Sequence, residues 1–252
     1  MTRSLDTFRT LGRSGLRVSP LALGTMTFGA DWGWGSEKDE ARQIFDAYLD
    51  RGGNFIDTAN QYTNGTSERL VGEFANGLRD RLVIATKYTL TTHPGDPNSG
   101  GNHRKSMVRS VEASLRRLNT DYLDLLYLHA WDGTTPVDEV LRAMDDLARA
   151  GKVLYVAISD TPAWQVARMQ TMAELRGWSP LIALQIEYSL SRWPGPCRTP
   201  PSPRRSSARA PPLSSPTTWG RSRCGSPTMR WPAWRRPARS NSVSHTSSWP
   251  GR

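Results

Sequence analysis

The 252 residues suffice for one domain the size of a (β/α)8 barrel, and the formal net charge of +10 is not spread evenly along them. Residues 1–191 hold 21 basic and 23 acidic side chains, a balance of −2, whereas residues 192–252 hold 12 Arg, no Lys and no acid, so the basic character belongs to the tail alone. A disulfide framework is not implied, because the two cysteines, Cys197 and Cys224, both lie in that tail, and no apolar run reaches the roughly 20 residues needed to cross a bilayer.

In chain order, Phe8–Leu11 and Leu16–Val18 flank Gly12-Arg13-Ser14-Gly15, which predicts a short hairpin. Six apolar, strand-like runs follow at Leu21–Leu23, Asn54–Asp57, Leu82–Thr86, Tyr122–His129, Val153–Ser159 and Leu181–Ile186. Between them, apolar residues recur at helical spacing: Ala41, Ile44, Phe45, Tyr48 and Leu49; Leu70, Val71 and Phe74; Val108, Val111, Leu115 and Leu118; Val137, Val140, Leu141, Met144 and Leu147; Val166, Met169, Met172 and Leu175. Gly52-Gly53 and Gly151 mark helix ends, and Pro136 and Pro162 stand near helix starts. Alternation of this kind predicts parallel βαβ units, either as a doubly wound sheet or as a barrel. No glycine-rich phosphate loop follows a strand, which favours the barrel.

Reactive residues of a βα barrel sit at the C-terminal ends of its strands. The second run closes in Asp57-Thr58-Ala59-Asn60-Gln61-Tyr62, the third in Thr86-Lys87, the fourth in Leu128-His129 and the fifth in Ser159-Asp160, while the sixth carries Gln185. Four of these residues make a set suited to carbonyl reduction. A carbonyl that accepts hydride becomes an alkoxide, which needs a proton and a field that stabilises negative charge. Tyr62 can donate the proton if a cation favours its phenolate, and Lys87 can be that cation. Asp57 would pair with Lys87, and His129 would orient the carbonyl oxygen. Trp32 and Trp34 in the first loop and Trp131 beside His129 could wall a substrate pocket. No metal site is expected.

Three ordered segments carry a family likeness. Gly24-Thr25-Met26-Thr27-Phe28-Gly29, Gly52-Gly53-Asn54-Phe55-Ile56-Asp57-Thr58-Ala59 and Leu128-His129-Ala130-Trp131-Asp132 resemble the first-strand loop, second-strand signature and fourth-strand end of the aldo-keto reductases. The resemblance runs from about Phe8 to Ser191. It implies a (β/α)8 barrel, here truncated to about six units, that uses NADPH or occasionally NADH to reduce a small carbonyl compound. By the same resemblance Asp57, Tyr62, Lys87 and His129 match the catalytic tetrad, Ser159, Asp160 and Gln185 match contacts to the nicotinamide carboxamide, and Gly24 and Thr25 approach the cofactor. Asp160 departs from the commoner Asn, and an ionised Asp can only accept hydrogen bonds.

After Leu184-Gln185-Ile186-Glu187-Tyr188-Ser189-Leu190 the likeness stops. Residues 192–252 hold 12 Arg, 12 Pro and 12 Ser, too few apolar groups to offset the entropy of ordering, so a disordered tail is expected. Text of this composition is what a GC-rich gene yields when read in a shifted frame, and we read a frameshift near residue 192. Strands seven and eight would then be missing and activity impaired. Two alternatives are a barrel that senses cofactor without turnover and a basic tail that binds nucleic acid through Arg and interspersed Trp. The N-terminus lacks an apolar signal core, so the cytoplasm is the expected compartment.

Overall fold

The computed structural model describes residues 4–187; the expected tail and the predicted frameshift lie outside the described residues. A hairpin of β1 (Arg9–Thr10) and β2 (Arg17–Val18) comes first. Six parallel strands follow: β3 (Leu23–Gly24), β4 (Phe55–Asp57), β5 (Val83–Tyr88), β6 (Leu123–Leu128), β7 (Val153–Ser159) and β8 (Leu181–Gln185). They alternate with α1 (Lys38–Leu49), α2 (Thr66–Phe74), α3 (Arg104–Leu118), α4 (Val137–Arg149) and α5 (Ala163–Arg176).

The strands neighbour one another in sequence order, β3 to β8, with every pair parallel. A doubly wound sheet reverses its order at a switch point, and this one does not. The result is a curled six-stranded sheet with five helices, an open partial barrel. The sequence reading of hairpin, six strands and five helices therefore holds, with strand ends moved by one or two residues: β5 runs on to Tyr88 and β6 stops at Leu128.

Strand alternation produces two cores. Facing the helices, Ile56, Ile84, Leu126, Leu128 and Ile158 pack with Phe45, Val71, Phe74, Met107, Val111 and Met144. Facing the barrel interior, Phe55, Val83, Ala85, Leu125, Tyr127, Ala157 and Ile182 form a second cluster, which Val18 of the hairpin joins and against which Leu11 and Leu16 pack. The hairpin thus plugs the interior of the partial barrel. Gly12 in its turn is required by space and by backbone, since its φ is +56° and a Cβ would lie 1.9 Å from the Ile182 carbonyl oxygen. Two residues assigned to helix cores by spacing face solvent instead: Ile44 is 39% exposed and Leu175 is 81% exposed.

Candidate active site

Register decides which strand-end side chains meet. Asp57 pairs with Ala85, and Lys87 pairs with Tyr127, so Lys87 stands one inward-facing step beyond Asp57 on the neighbouring strand. Ser159 pairs with Gln185 at the far side of the same mouth. Inward positions at the C-terminal end of the sheet therefore carry Asp57, Lys87, Tyr127, Ser159 and Gln185, with His129 one residue past β6.

Lys87 is the hub of this cluster. Its side chain is 1% exposed, and Nζ donates to both Asp57 carboxylate oxygens at 2.8 Å and to the Thr58 carbonyl oxygen at 3.0 Å. A buried ammonium needs such partners, because an unpaired charge out of water is expensive. The same Nζ donates to the Tyr62 hydroxyl oxygen at 3.3 Å and lies 5.0 Å from the centre of that ring. Gln185 adds a bond from Nε2 to Asp57 Oδ2 at 3.2 Å, lacing β8 to β4 across the mouth. Tyr127 lies beneath, with Lys87 Nζ 5.9 Å from its ring centre; burial and then the Asp57 charge push its phenol well above the ordinary range.

His129 stands edge-on to Tyr62, ring centres 5.8 Å apart and planes at 79°. Burial and then the Lys87 charge lower its pKa to about 4, so the imidazole is neutral at pH 7. Its Nδ1 is buried without a hydrogen-bond partner. The backbone sets its position: His129 N donates to the Tyr88 carbonyl oxygen at 3.1 Å and to Thr89 Oγ1 at 3.3 Å. Thr89 has φ +116°, a costly conformation for a β-branched residue, and Asn102 Nδ2 bonds the same hydroxyl at 3.0 Å. Asp132 closes the network by accepting from Asn102 N at 2.8 Å, Thr134 N and Thr135 N at 2.9 Å, and Thr135 Oγ1 at 2.7 Å. Burial alone would raise its pKa, but these bonds outweigh it and hold the carboxyl at about 2.

Tyr62 is presented by an unusual turn. Thr63, Asn64 and Gly65 all have positive φ, at +45°, +54° and +89°. Thr63 is fully buried and its hydroxyl donates to the Phe28 carbonyl oxygen at 2.7 Å while accepting from Ser67 N at 3.0 Å. Ser67 in turn joins the Thr25 and Thr58 hydroxyls, at 2.9 and 3.0 Å, and donates to the Thr25 carbonyl oxygen at 2.7 Å. The first loop, the Tyr62 turn and α2 are thereby tied together.

The sequence matches the Aldo/keto reductase family over residues 20–196. This chain belongs to that family. It is 47% identical over 186 residues to norsolorinic acid reductase of Aspergillus flavus, covering 70% of this chain and 48% of that protein. It is 41% identical over 191 residues to the NADP(+) aryl-alcohol dehydrogenase of Phanerodontia chrysosporium, covering 70% of this chain and 50% of that protein. The chain spans about half the length of the curated relatives it matches.

The remaining candidate residues divide by exposure. Gly24 is exposed, with nothing within 4 Å of where a Cβ would stand. Thr25 is fully buried, its hydroxyl spent on Ser67 and on the Asp57 carbonyl oxygen. Ser159 is 5% exposed. Asp160 is exposed and left-handed at φ +34°, its backbone accepting from Trp131 N and donating to the Gln185 carbonyl oxygen. Trp131 packs partly against the helix-side core. Trp32 and Trp34 meet at a tilt, ring centres 5.5 Å apart and planes at 47°, and Trp34 is 52% exposed.

Sequence reasoning missed the supporting groups: Thr63, Ser67, Thr89 and Asn102. Only the Asn64-Gly65 pair signals the left-handed turn in advance. Also missed is a buried acid, Glu68, which accepts from Thr86 Oγ1 at 2.5 Å and pairs with Arg117 at 2.6 Å behind β5. Among the described residues no helix is long and apolar enough to cross a membrane, and no group of three or more His, Cys, Asp or Glu could hold a metal ion.

Proposed function

We propose that this chain reduces aryl aldehydes and ketones to alcohols with a reduced nicotinamide cofactor, NADPH in preference to NADH. The observation that carries the reading is one nitrogen: Lys87 Nζ holds both Asp57 oxygens at 2.8 Å and reaches the Tyr62 hydroxyl oxygen at 3.3 Å. When bound, the cofactor supplies the hydride that adds to the carbonyl carbon. As the carbonyl oxygen gains charge, Tyr62 delivers the proton. Lys87 donates to the phenol oxygen, so the phenolic hydrogen stays free for the substrate and the phenolate left behind faces a fixed cation. Asp57 keeps that cation in place. His129 is uncharged, so it orients the carbonyl oxygen through a ring N–H and does not compete with Tyr62 as an acid.

Ser159, Asp160 and Gln185 would hold the nicotinamide carboxamide: they line neighbouring strand ends beside Asp57, and the bond from Gln185 Nε2 to Asp57 leaves its carbonyl oxygen for a ligand donor. The exposed Gly24 leaves the first-loop backbone open to the cofactor, while the Thr25 hydroxyl serves the loop. Trp32, Trp34 and Trp131 supply aromatic surface for an aryl group. The aryl preference draws on the aryl-alcohol dehydrogenase among the relatives. Groups for the adenosine end of the cofactor belong to strands seven and eight of the family barrel, and residues 192–252 read as frame-shifted text in their place. Cofactor binding is therefore weak and turnover slow, and the protein acts in the cytoplasm.

The test is to incubate the purified chain with NADPH and an aryl aldehyde and to quantify the alcohol. Slow, cofactor-dependent formation of one alcohol per NADPH consumed is expected. No alcohol above the enzyme-free control would overturn the proposal.

A further inference from the structure

On the helix side of β5 lies an acid that the proposed reaction does not use. Glu68 stands in the first turn of α2 with its side chain fully buried. Thr86 Oγ1 donates to its Oε1 at 2.5 Å, and Arg117 of α3 donates from Nε to its Oε2 at 2.6 Å, with Nη2 equally close. A buried ion pair adds little net stability over well-packed apolar side chains of the same volume, so this one is explained better by what it holds in place than by its strength.

What it holds is the pair Tyr62 and Lys87. Strand alternation puts Thr86 on the helix side and its neighbour Lys87 on the interior side, so the bond to Glu68 fixes α2 to β5 at the level of the buried ammonium. Tyr62 lies in the turn that runs directly into α2, and Arg117 reaches that turn as well. A Cβ on Gly65 would lie 2.9 Å from Arg117 Cδ, so the arginine stem packs across the turn where only glycine leaves room. The segment entering Tyr62 is tied to β5 by Asn60 N, which donates to the Lys87 carbonyl oxygen at 3.0 Å. Glu68 supplies the matching tie on the segment leaving it. Between these ties Lys87 Nζ and the Tyr62 hydroxyl oxygen stand 3.3 Å apart, at the long end for a hydrogen bond, where a small displacement breaks the contact.

We propose that Glu68 is a positioning residue, which through Thr86 and Arg117 sets the separation of the Tyr62 hydroxyl and Lys87 Nζ from the far side of the sheet. The inference rests on the reductase reading, and it carries a signature that can be read without turnover. Thr86→Val is nearly isosteric, suits a strand and removes the hydroxyl that meets Glu68, so a native far-UV dichroism spectrum is expected. In single-turnover reduction of an aryl aldehyde its rate should fall by about 10- to 100-fold, with NADPH affinity, followed by tryptophan fluorescence, unchanged. Glu68→Met, which removes both ties and keeps the length of the side chain, should lower the rate at least as far, and Thr86→Ser, which keeps the hydroxyl, should recover most of the loss. In a Tyr62→Phe background Thr86→Val should cost less than about a further twofold, because the hydroxyl it positions is gone. With the tyrosine rings labelled by carbon-13, the Tyr62 resonance, assigned by its loss in Tyr62→Phe, should shift in Thr86→Val while that of Tyr122, at the other end of the sheet, stays in place. An unchanged rate, an unmoved Tyr62 resonance in folded Thr86→Val, or equal losses in both backgrounds would each overturn the inference. No alcohol from the unaltered chain would instead overturn the reductase reading, and the Tyr62 resonance would then decide on Glu68.

Discussion

The middle of the sheet and its β8 edge are built from the same kind of βα unit, yet they differ in what covers them. Strands β5 and β6 each have a parallel neighbour on both sides, and every residue of both is buried. Strand β8 pairs only with β7 among the described residues, and Leu184 on it is 45% exposed. The preceding helix leaves Trp164 and Leu175 at 66% and 81% exposure. Asp57, Lys87, Tyr62 and His129 all belong to the covered half, whereas Gln185 stands on the open edge. From that edge Gln185 Nε2 still reaches Asp57 Oδ2 at 3.2 Å, so the central ion pair draws support from both regions.

If the centre carries the stability, removing the partner of its buried charge should produce the largest loss. Lys87→Met leaves the Asp57 carboxylate without its cation, and chemical denaturation should register a loss of about 3–5 kcal/mol. Arg13→Ala breaks the surface pair with Glu174, 3.6 Å apart with the arginine side chain 88% exposed, and should leave the midpoint unmoved. Equal effects at the two places would contradict a stability centred on the buried Lys87–Asp57 pair.

Leu126, 1% exposed between β5 and β7, should cost about 2–5 kcal/mol as Leu126→Ala, measured by the shift in denaturation midpoint. Leu175→Ala on α5, at an 81% exposed position, should cost nothing measurable.

The folded pKa of His129, about 4, lies below the ordinary 6.5, so the unfolded chain takes up the proton first as pH falls. Its contribution is therefore whole above about pH 6.5, declines between about 6.5 and 4, and is worth no more than about 3 kcal/mol. His129→Gln should flatten that part of the stability profile. Asp132, held at about 2, should lose its contribution only between about pH 4 and 2, so the two windows separate in one acid titration.

Much of this was legible in the residues because the strand ends carry the chemistry. Runs such as Leu82–Thr86 and Tyr122–His129 locate β5 and β6, and the polar residues closing them are those that meet at the mouth. Two things resisted sequence reasoning. Backbone conformation at Thr63 and Thr89 runs against what a β-branched residue prefers, so no propensity argument reaches it; tertiary hydrogen bonds impose it. Exposure of Leu175 was invisible because helical spacing identifies an apolar face and not whether a neighbour covers it. The Thr25 hydroxyl bonds with Ser67 were equally out of reach, because they join residues 42 apart in the chain.

In the proposed reaction Tyr62 gives its proton to the substrate beside a fixed ammonium, and one substitution tests that step. Tyr62→Phe keeps the ring against His129 and removes only the hydroxyl. Single-turnover reduction of an aryl aldehyde, with NADPH binding followed in parallel by tryptophan fluorescence, should show cofactor affinity unchanged and the reduction rate lowered by about 10²–10⁴-fold. Reduction by Tyr62→Phe at the rate of the unaltered chain would contradict the account.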